Sequence, residues 1–186
     1  HYETFNQSPA SKGEFQFDYI VASADYHHVE EKLLNKEYKN YNEDYWQKKT
    51  FSPSSLLFYL GVDCKLEKLQ HHNLFFDEDI ETHTEEIYKN PTWPSTPLFY
   101  VCCPSKTDST VAPKGKENLF LLMPLAPGLN DDSRLREKYF DILMERLENY
   151  CEHDIRKHIE YKKSYCIDDF KHDYNAYKGN AYGLAN

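Results

Sequence analysis

Histidine and cysteine side chains are the groups in this sequence that could bind a metal ion. The nine histidines include two adjacent pairs, one of them His71-His72. Metal-binding motifs usually place two histidines four positions apart on a helix, or two cysteines with two residues between them. Neither spacing occurs, since His153 and His158 are five positions apart and the cysteines are scattered. The sequence therefore predicts histidines that lie on the surface and no metal site.

Nucleophilic catalysis is the second kind of chemistry that cysteine offers. Cys102 and Cys103 stand side by side, before Pro104 and Ser105. Covalent catalysis also needs a histidine and an orienting group beside the thiol, and no sequence pattern supplies them here. Free cysteine also behaves as a small apolar residue, which favours a core strand for this segment. The acidic run at 77–79 is explained as the cap of a helix, so no catalytic residue is assigned.

Two glycines near the end of the chain, Gly179 and Gly183, mark a place where the backbone could approach a ligand closely. They form neither a phosphate loop nor a dinucleotide motif, because no predicted strand precedes them. A flexible turn is the alternative interpretation of the same spacing. Both glycines are therefore candidates for ligand contact, and their spacing alone does not name the ligand.

Charge and composition restrict the class of protein. The 186 residues include 31 acidic and 22 basic side chains, a net charge of −9, which argues against a surface that binds nucleic acid. Hydrophobic residues make up 40% of the chain, which is enough for a folded core. The longest apolar runs, at 56–60 and 119–123, are far shorter than the ~18 residues of a membrane span. We expect a folded, cytoplasmic protein whose five scattered cysteines stay reduced.

Hydrophobic periodicity predicts an alternation of strands and helices. Strands are predicted at 15–22, 54–62, 71–76, 98–103, 118–123 and 155–165. Helices are predicted at 26–33, 80–88 and 133–151, and a short helix or turn at 168–177. Ser23 or Asp25 is expected to cap the first of them. The polar stretch at 36–49 is predicted to be a solvated connector. This order indicates an α+β fold, in which a mostly antiparallel mixed sheet carries helices on one face.

One hairpin makes this prediction specific. Segment 98–103 is stopped by Pro104, and a turn-rich link at 108–115 leads into segment 118–123. We therefore expect the two segments to be adjacent antiparallel strands. The helix at 135–150 keeps one apolar stripe and is expected to pack on their sheet.

Several segments, taken together, resemble the FAD-dependent phytoene desaturases of bacterial carotenoid synthesis. The stretches that carry the resemblance are 17–25 (FDYIVASAD), 54–61 (SSLLFYLG), 71–76 (HHNLFF), 104–115 (PSKTDSTVAPKG), 169–170 (DF) and 179–183 (GNAYG). The stretch at 104–115 is the most specific, since it is similar to the family pattern PS-x-TDPS-x-AP-x-G. It departs from that pattern at Ser109, where the family has Pro, and at Thr110, where the family usually has Ser.

The resemblance implies a function. In that family this part of the chain is most of the substrate domain, whose apolar cavity holds a long polyene beside the isoalloxazine ring of FAD. The cofactor is therefore implied to be FAD, and the activity of the full-length protein is implied to be desaturation of phytoene or a related carotenoid precursor. Catalytic residues stay unknown, because none of the family's maps into this stretch.

Candidate site residues also come from the resemblance. The residues implied to lie on the cofactor side are Ala22, Ser23, Ala24, Gly179 and Gly183. Tyr182 is implied to contact the polyene substrate. For each of them a purely structural role, as a strand end or a glycine turn, remains the alternative interpretation.

Two family hallmarks are missing from the sequence, the N-terminal G-x-G-x-x-G motif and the C-terminal glycine-rich flavin segment. We therefore expect an internal fragment that is inactive and colourless on its own. In this interpretation residues 1–25 are an unplaced segment and the edge of the FAD-binding domain, and residues 26–178 are the substrate-binding domain. Residues 179–186 begin the return to the FAD-binding domain.

Other functions fit the same residues. A carotenoid isomerase or another flavin-dependent polyene dehydrogenase is one alternative, and a stand-alone module that binds an apolar ligand or a partner is another. The partner implied by the resemblance is a long apolar polyene, with no nucleic acid. Peripheral membrane contact of the full-length enzyme and self-association through an exposed apolar wall are the remaining expectations.

Overall fold

The computed structural model describes residues 16–185, and its centre is one open sheet of five strands. The strands are β1 (Ser54–Val62), β2 (His72–Phe75), β3 (Phe99–Cys102), β4 (Glu117–Leu125) and β5 (Ile159–Tyr165). Their order across the sheet is β2-β3-β4-β1-β5, and every neighbouring pair is antiparallel. The expected α+β fold is therefore confirmed, with a sheet that is antiparallel throughout rather than mixed.

Five α-helices lie among the described residues; four overlap predicted helices, and the one at 43–48 was not predicted. They are α1 (Tyr26–His28), α2 (Glu43–Lys48), α3 (Ile80–Tyr88), α4 (Ser133–Cys151) and α5 (Ile167–Tyr174). Aspartates begin two of them as predicted, since the side chain of Asp25 accepts from the backbone N–H of His28 and that of Asp79 accepts from Thr82. The predicted helix at 26–33 is α-helical only at its start and continues as a π-helix over Val29–Leu33. Within residues 16–185, no helix combines the length and apolar character needed to cross a bilayer.

Helix α4 covers one face of the sheet, as the apolar stripe predicted. The ring of Phe140 in α4 lies 5.0 Å from that of Phe58 in β1, and Leu121 and Met123 of β4 are fully buried in the same core. The predicted hairpin is also confirmed, because β3 and β4 are adjacent and antiparallel. Strand alternation therefore divides the sheet into an inner face under α4 and an opposite face.

Several local predictions are wrong, among them the start of the strand at 155–165, because Ile155–His158 form a 3-10 helix and β5 begins only at Ile159. Residues 16–22 form no strand, and Ile20 and Val21 are exposed, because no strand among the described residues supplies the hydrogen-bonded neighbour that a strand requires. The stretch at 36–49 is not a solvated connector, since it contains α2 and buries Trp46 completely. The rings of Tyr26 and Tyr45 pack edge-on against Trp46 at 5.3 and 5.1 Å. Its tyrosines therefore build a second, small core.

The most specific motif of the sequence closes the β3–β4 hairpin. Its Pro104–Lys106 segment forms one tight turn after β3, and Lys106 Nζ lies 2.8 Å from Oε1 of Glu117 at the start of β4. The carboxylate of Glu117 also accepts the backbone N–H of Leu66 at 3.1 Å, and Lys106 donates to the carbonyl oxygen of Leu66 at 2.7 Å. Because the Glu117 side chain is only 1% exposed, this ion pair is part of the interior.

Candidate functional site

The face of the sheet opposite α4 carries mostly aromatic and aliphatic side chains, with one charged residue, Lys163, opposite Tyr59 on the edge strand β5. We call this the aromatic face; its residues are Tyr59, Leu74, Tyr100, Phe120, Leu122 and Tyr161. They share one face because residues directly opposite each other on neighbouring strands point the same way, as Tyr59 and Phe120 do. Their rings lie 5.3 Å apart, and Tyr100 lies 6.5 Å from Phe120.

The aromatic face is not closed by other side chains of the described residues. Tyr59, Leu74 and Tyr161 remain 40%, 66% and 56% exposed, whereas inner-face residues of the central strands, such as Phe58 and Leu121, are completely buried. A shallow depression of about 500 Å³ lies between Tyr59, Phe120 and Tyr161. Gly61 also lines it, and a Cβ added there would make van der Waals contact with Cβ of Tyr161 at 3.4 Å. The geometry is suited to a flat or elongated apolar ligand.

The phenols of Tyr59 and Tyr100 stay uncharged at neutral pH. Burial raises the pKa of Tyr59 above its ordinary value. Burial, together with a hydrogen bond to Cys102, raises the pKa of Tyr100 to about 12. Since a phenolate at either position would oppose an apolar ligand, the neutral state of both rings preserves the apolar character of the face.

The predicted site residues fall into three places. Ala24, Tyr182 and Gly183 line one cleft of about 620 Å³ where the two ends of the described chain meet. Ala22 and Ser23 lie in exposed extended chain just before it. Gly179 is buried and packs against Ile167 instead. The structure therefore brings together part of the predicted set, in a cleft separate from the depression between Tyr59, Phe120 and Tyr161.

Asp25 holds the two sides of this end cleft together, a role that the sequence indicated only as a helix cap. One carboxylate oxygen accepts the backbone N–H of His28 at 3.1 Å. The other accepts the backbone N–H of Tyr177 at 3.2 Å and the side-chain amide of Asn180 at 3.1 Å. Asp25 thereby fixes the segment that carries Tyr182 against the start of α1.

A second group that sequence patterns missed lies at the β2 edge of the aromatic face. One ring nitrogen each from His71 and His72 and the sulfur of Cys102 all lie within 4.8 Å of one another. Cys102 is far along the chain from the adjacent pair His71 and His72, and the three residues follow no metal-binding spacing. Only the pairing of β2 with β3, which sets His72 opposite Cys102, brings them together.

Comparison with curated proteins finds relatives that share most of this chain. Over 168 residues, 90% of the chain, it is 42% identical to a carotenoid 3,4-desaturase of Haloarcula japonica, of which it spans 34%. Over 178 residues, 92% of the chain, it is 31% identical to a 4,4'-diaponeurosporene oxygenase of Staphylococcus aureus strain MRSA252, of which it spans 35%. The chain is homologous to a segment of the carotenoid desaturase family. No protein-family profile matches it.

The chain spans about a third of the length of the curated relatives it matches. The identities over about 90% of the chain confirm the resemblance to carotenoid desaturases that the motifs indicated. Since one relative is named a desaturase and the other an oxygenase, the family is one of carotenoid-modifying oxidoreductases. The motif at 104–115, which carried the resemblance most specifically, supplies Lys106, whose ammonium pairs with the carboxylate of Glu117 at the start of β4.

Alanine substitutions at two glycines of this carotenoid desaturase homologue distinguish tight packing at Gly179 from the strain of a positive φ alone. Gly179 has φ +68°, and a Cβ there would lie 2.5 Å from the carbonyl oxygen of Ile167. We expect Gly179→Ala to lower the free energy of unfolding by about 2–4 kcal/mol, since it adds a backbone clash to the strain of a positive φ. Urea denaturation followed by circular dichroism measures it.

Gly183→Ala is the matched control for that experiment. Gly183 also has a positive φ, +86°, but nothing lies within 4 Å of the added Cβ. Gly183→Ala is expected to lower the free energy of unfolding by about 1 kcal/mol, because only the strain of the positive φ acts on it. Equal costs for the two variants would contradict the packing role assigned to Gly179.

Asp25→Ala is expected to loosen the segment that carries Tyr182. The change removes a helix cap and leaves the buried side-chain amide of Asn180 without its carboxylate acceptor. The free energy of unfolding is expected to fall by about 2–3 kcal/mol. Amide hydrogen exchange at Tyr177 should accelerate together with this loss. Asp79→Ala, which removes the cap of α3 without a long-range bond, is expected to cost about 1 kcal/mol. An unchanged rate of amide exchange at Tyr177 in the Asp25→Ala variant would contradict the conclusion that Asp25 holds this segment against the start of α1.

Proposed function

We propose that this chain supplies most of the substrate-binding part of an FAD-dependent oxidoreductase that desaturates phytoene or a related carotenoid precursor. The observation that carries the proposal is the aromatic face, an exposed apolar surface on a sheet whose other face is closed by α4. Its position in a homologue of carotenoid-modifying enzymes supports a polyene as the ligand. In this proposal the face forms one wall of the apolar substrate cavity.

The physical basis of polyene binding on such a wall is the removal of apolar surface from water. Each 100 Å² of apolar area that is covered contributes about 2.5 kcal/mol, so an elongated hydrocarbon gains affinity along its whole length. Aromatic rings such as Tyr59 and Phe120 offer flat surfaces for a conjugated chain. The neutral phenols add no charge that the ligand would leave unsolvated.

FAD would meet this chain at the end cleft. Gly183 has open space beside its backbone, and Ala24 carries only a methyl group, so these residues fit the edge of a flat flavin ring. Tyr182, 81% exposed, would lie between this ring and the polyene. No G-x-G-x-x-G turn occurs in the sequence, and we assign none of its residues to the pyrophosphate.

The roles of Ala22, Ser23 and Gly179 in this scheme are indirect. Ala22 and Ser23 would continue the edge of the FAD-binding domain, and Gly179 would let the returning segment pack tightly before it reaches Tyr182. The domain division proposed is accordingly 1–25 with the flavin side, 26–178 with the substrate side, and 179–186 as the return. When bound, FAD would supply the acceptor for hydride removed from the substrate. The residues of this chain would orient the polyene and exclude water.

A carotenoid oxygenase is the second candidate, because a relative at 31% identity carries that name. The desaturase relative is the more similar, at 42% identity, and this difference favours desaturation. An isomerase or another polyene dehydrogenase would use the same apolar wall. Contact with a membrane surface and self-association through the aromatic face complete the proposal for partners.

The test is product analysis with the flavoprotein encoded by the complete gene, supplied with phytoene. We expect bound FAD and products with additional double bonds. Oxygen incorporated without new double bonds would favour the oxygenase, and isomers of unchanged mass would favour the isomerase. Oxidation of a small polar amine, with none of phytoene, would reject the whole proposal.

A second measurement tests the domain division separately. The 186-residue chain is titrated with FAD, and the quenching of flavin fluorescence is followed. We expect no saturable binding, since in dinucleotide-binding folds the pyrophosphate is held mainly by the glycine-rich turn and the helix behind it. Tight saturable binding would require the division at residues 25 and 179 to be redrawn.

A further inference from the structure

A cluster of nitrogen and sulfur ligands lies at one edge of the aromatic face. His72 in β2 is directly opposite Cys102 in β3, so both side chains point to the same side of the sheet. His71 immediately precedes β2, and its ring lies 4.2 Å from that of His72. One ring nitrogen of each histidine and Sγ of Cys102 lie within 4.8 Å of one another. Three donors of the type that bind soft and borderline cations therefore converge on one point.

Hydroxyl groups orient the two rings. Nδ1 of His72 lies 2.5 Å from the hydroxyl of Tyr100, and Nδ1 of His71 lies 2.5 Å from the hydroxyl of Thr107. Histidines that bind metals usually have such a partner on the nitrogen that does not bind, which sets the ring orientation and tautomer. In the site proposed below, Nε2 of each ring would bind the cation while Nδ1 keeps its hydroxyl partner.

We propose that His71, His72 and Cys102 form a binding site for a thiophilic divalent cation of the Zn²⁺ class. In a tetrahedral site with bonds of about 2.0–2.3 Å, ligand atoms are about 3.3–3.8 Å apart. The widest separation within the cluster therefore needs to close by about 1–1.5 Å for a cation to bind all three atoms. Two imidazoles and one thiolate leave the fourth position to water, since the cluster is partly exposed. Carboxylates, which favour Mg²⁺ or Ca²⁺, take no part in the cluster.

Binding exchanges protons for the cation. The cation displaces the thiol proton of Cys102 to solvent, and both imidazoles bind in their neutral form, so affinity rises with pH. The bound cation links β2 to β3 through side chains. Because β2 is a four-residue strand at the edge of the sheet, this link stabilises the weakest strand of the aromatic face. The site does not depend on the proposed desaturase activity.

Cobalt provides the spectroscopic test. The metal-free, reduced chain is titrated with Co²⁺, and we expect one equivalent to bind with a sulfur-to-cobalt charge-transfer band in the near ultraviolet. Cys102→Ser should abolish that band, and His72→Asn should weaken binding at least about 10-fold. Cys64→Ser and His153→Asn are controls, since Cys64 is another partly exposed thiol and His153 stacks on His158 at 5.0 Å. The controls should bind as the parent chain does.

Thermal unfolding with Zn²⁺ provides the second readout. A ligand that binds only the folded state at about 100 times its Kd should raise the Tm by about 5–10 °C for a chain of this length. The shift should vanish in Cys102→Ser, whose metal-free circular dichroism spectrum should match that of the parent. Absence of the charge-transfer band, loss of it in Cys64→Ser, or an equal Tm shift in Cys102→Ser would overturn the site.

Discussion

Replacing Phe120 with Asp is expected to weaken polyene binding by the complete flavoprotein about 10- to 100-fold, because the ring lies at the centre of the aromatic face. Its neighbours Tyr59 and Tyr100 lie 5.3 and 6.5 Å away. Removing one large apolar side chain costs about 1.5–3 kcal/mol of burial, and the carboxylate adds a charge that the hydrocarbon cannot solvate. The measurement is the phytoene concentration that gives half-maximal desaturation.

Ile80→Asp is the matched control for this prediction. Ile80 is an exposed apolar residue of α3 and does not belong to the aromatic face, so its substitution should leave phytoene binding unchanged. Phe120→Ala keeps the face apolar and is expected to give an intermediate loss, which protects the test if the aspartate disturbs the sheet. A folded Phe120→Asp protein with an unchanged half-saturating concentration would contradict the substrate role of the face.

Glu117→Ala is expected to give the largest loss of stability in the chain, about 3–5 kcal/mol of the free energy of unfolding. The Glu117 side chain is 1% exposed and faces Lys106 at 2.8 Å and Lys65 at 3.5 Å. Its removal leaves the ammonium of Lys106, 17% exposed, without its countercharge. The backbone N–H of Leu66 also loses its acceptor. Urea denaturation at pH 7 measures the change.

A surface ion pair of the same chemistry supplies the control. Glu160 pairs with Lys116, but its side chain is 52% exposed, so Glu160→Ala is expected to cost about 0–1 kcal/mol. The contrast depends on burial, since water screens the carboxylate of Glu160, whereas that of Glu117 is almost completely excluded from water. If the two substitutions lower the free energy of unfolding equally, the Lys106–Glu117 pair at the β3–β4 hairpin does not stabilise the fold as described.

Local patterns in the sequence were sufficient for most of the secondary structure. Strand β1 and helix α4 lie where hydrophobic periodicity predicted them, because burial on one face imposes that periodicity directly. The β3–β4 hairpin was predicted from the turn-rich link between its two apolar segments, which is also a local signal. The family resemblance also came from the sequence, since a short motif such as 104–115 can be recognised from its residue types without knowledge of its structural role.

Local patterns failed where a partner distant in the chain decides the structure. Residues 16–22 have the composition of a strand, yet strand formation depends on a neighbouring ladder that the described residues do not provide. Trp46 lies in a polar stretch, and only its aromatic neighbours, Tyr26 and Phe51 among them, explain its burial. Propensity and polarity describe single segments, whereas burial is a property of contacts between segments.

The sites were decided by tertiary structure. Strand register places Tyr59, Phe120 and Tyr100 on one face, and the same register sets His72 opposite Cys102; neither set has a spacing that a sequence pattern could detect. The carboxylate of Asp25 was predicted to cap a helix, and its bonds to Tyr177 and Asn180 depend on how the chain returns. The amino-acid sequence thus determined which segments form strands and helices, because that choice depends on near neighbours. Which side chains meet was decided only by the pairing of distant strands, because a shift of one residue would reverse every face.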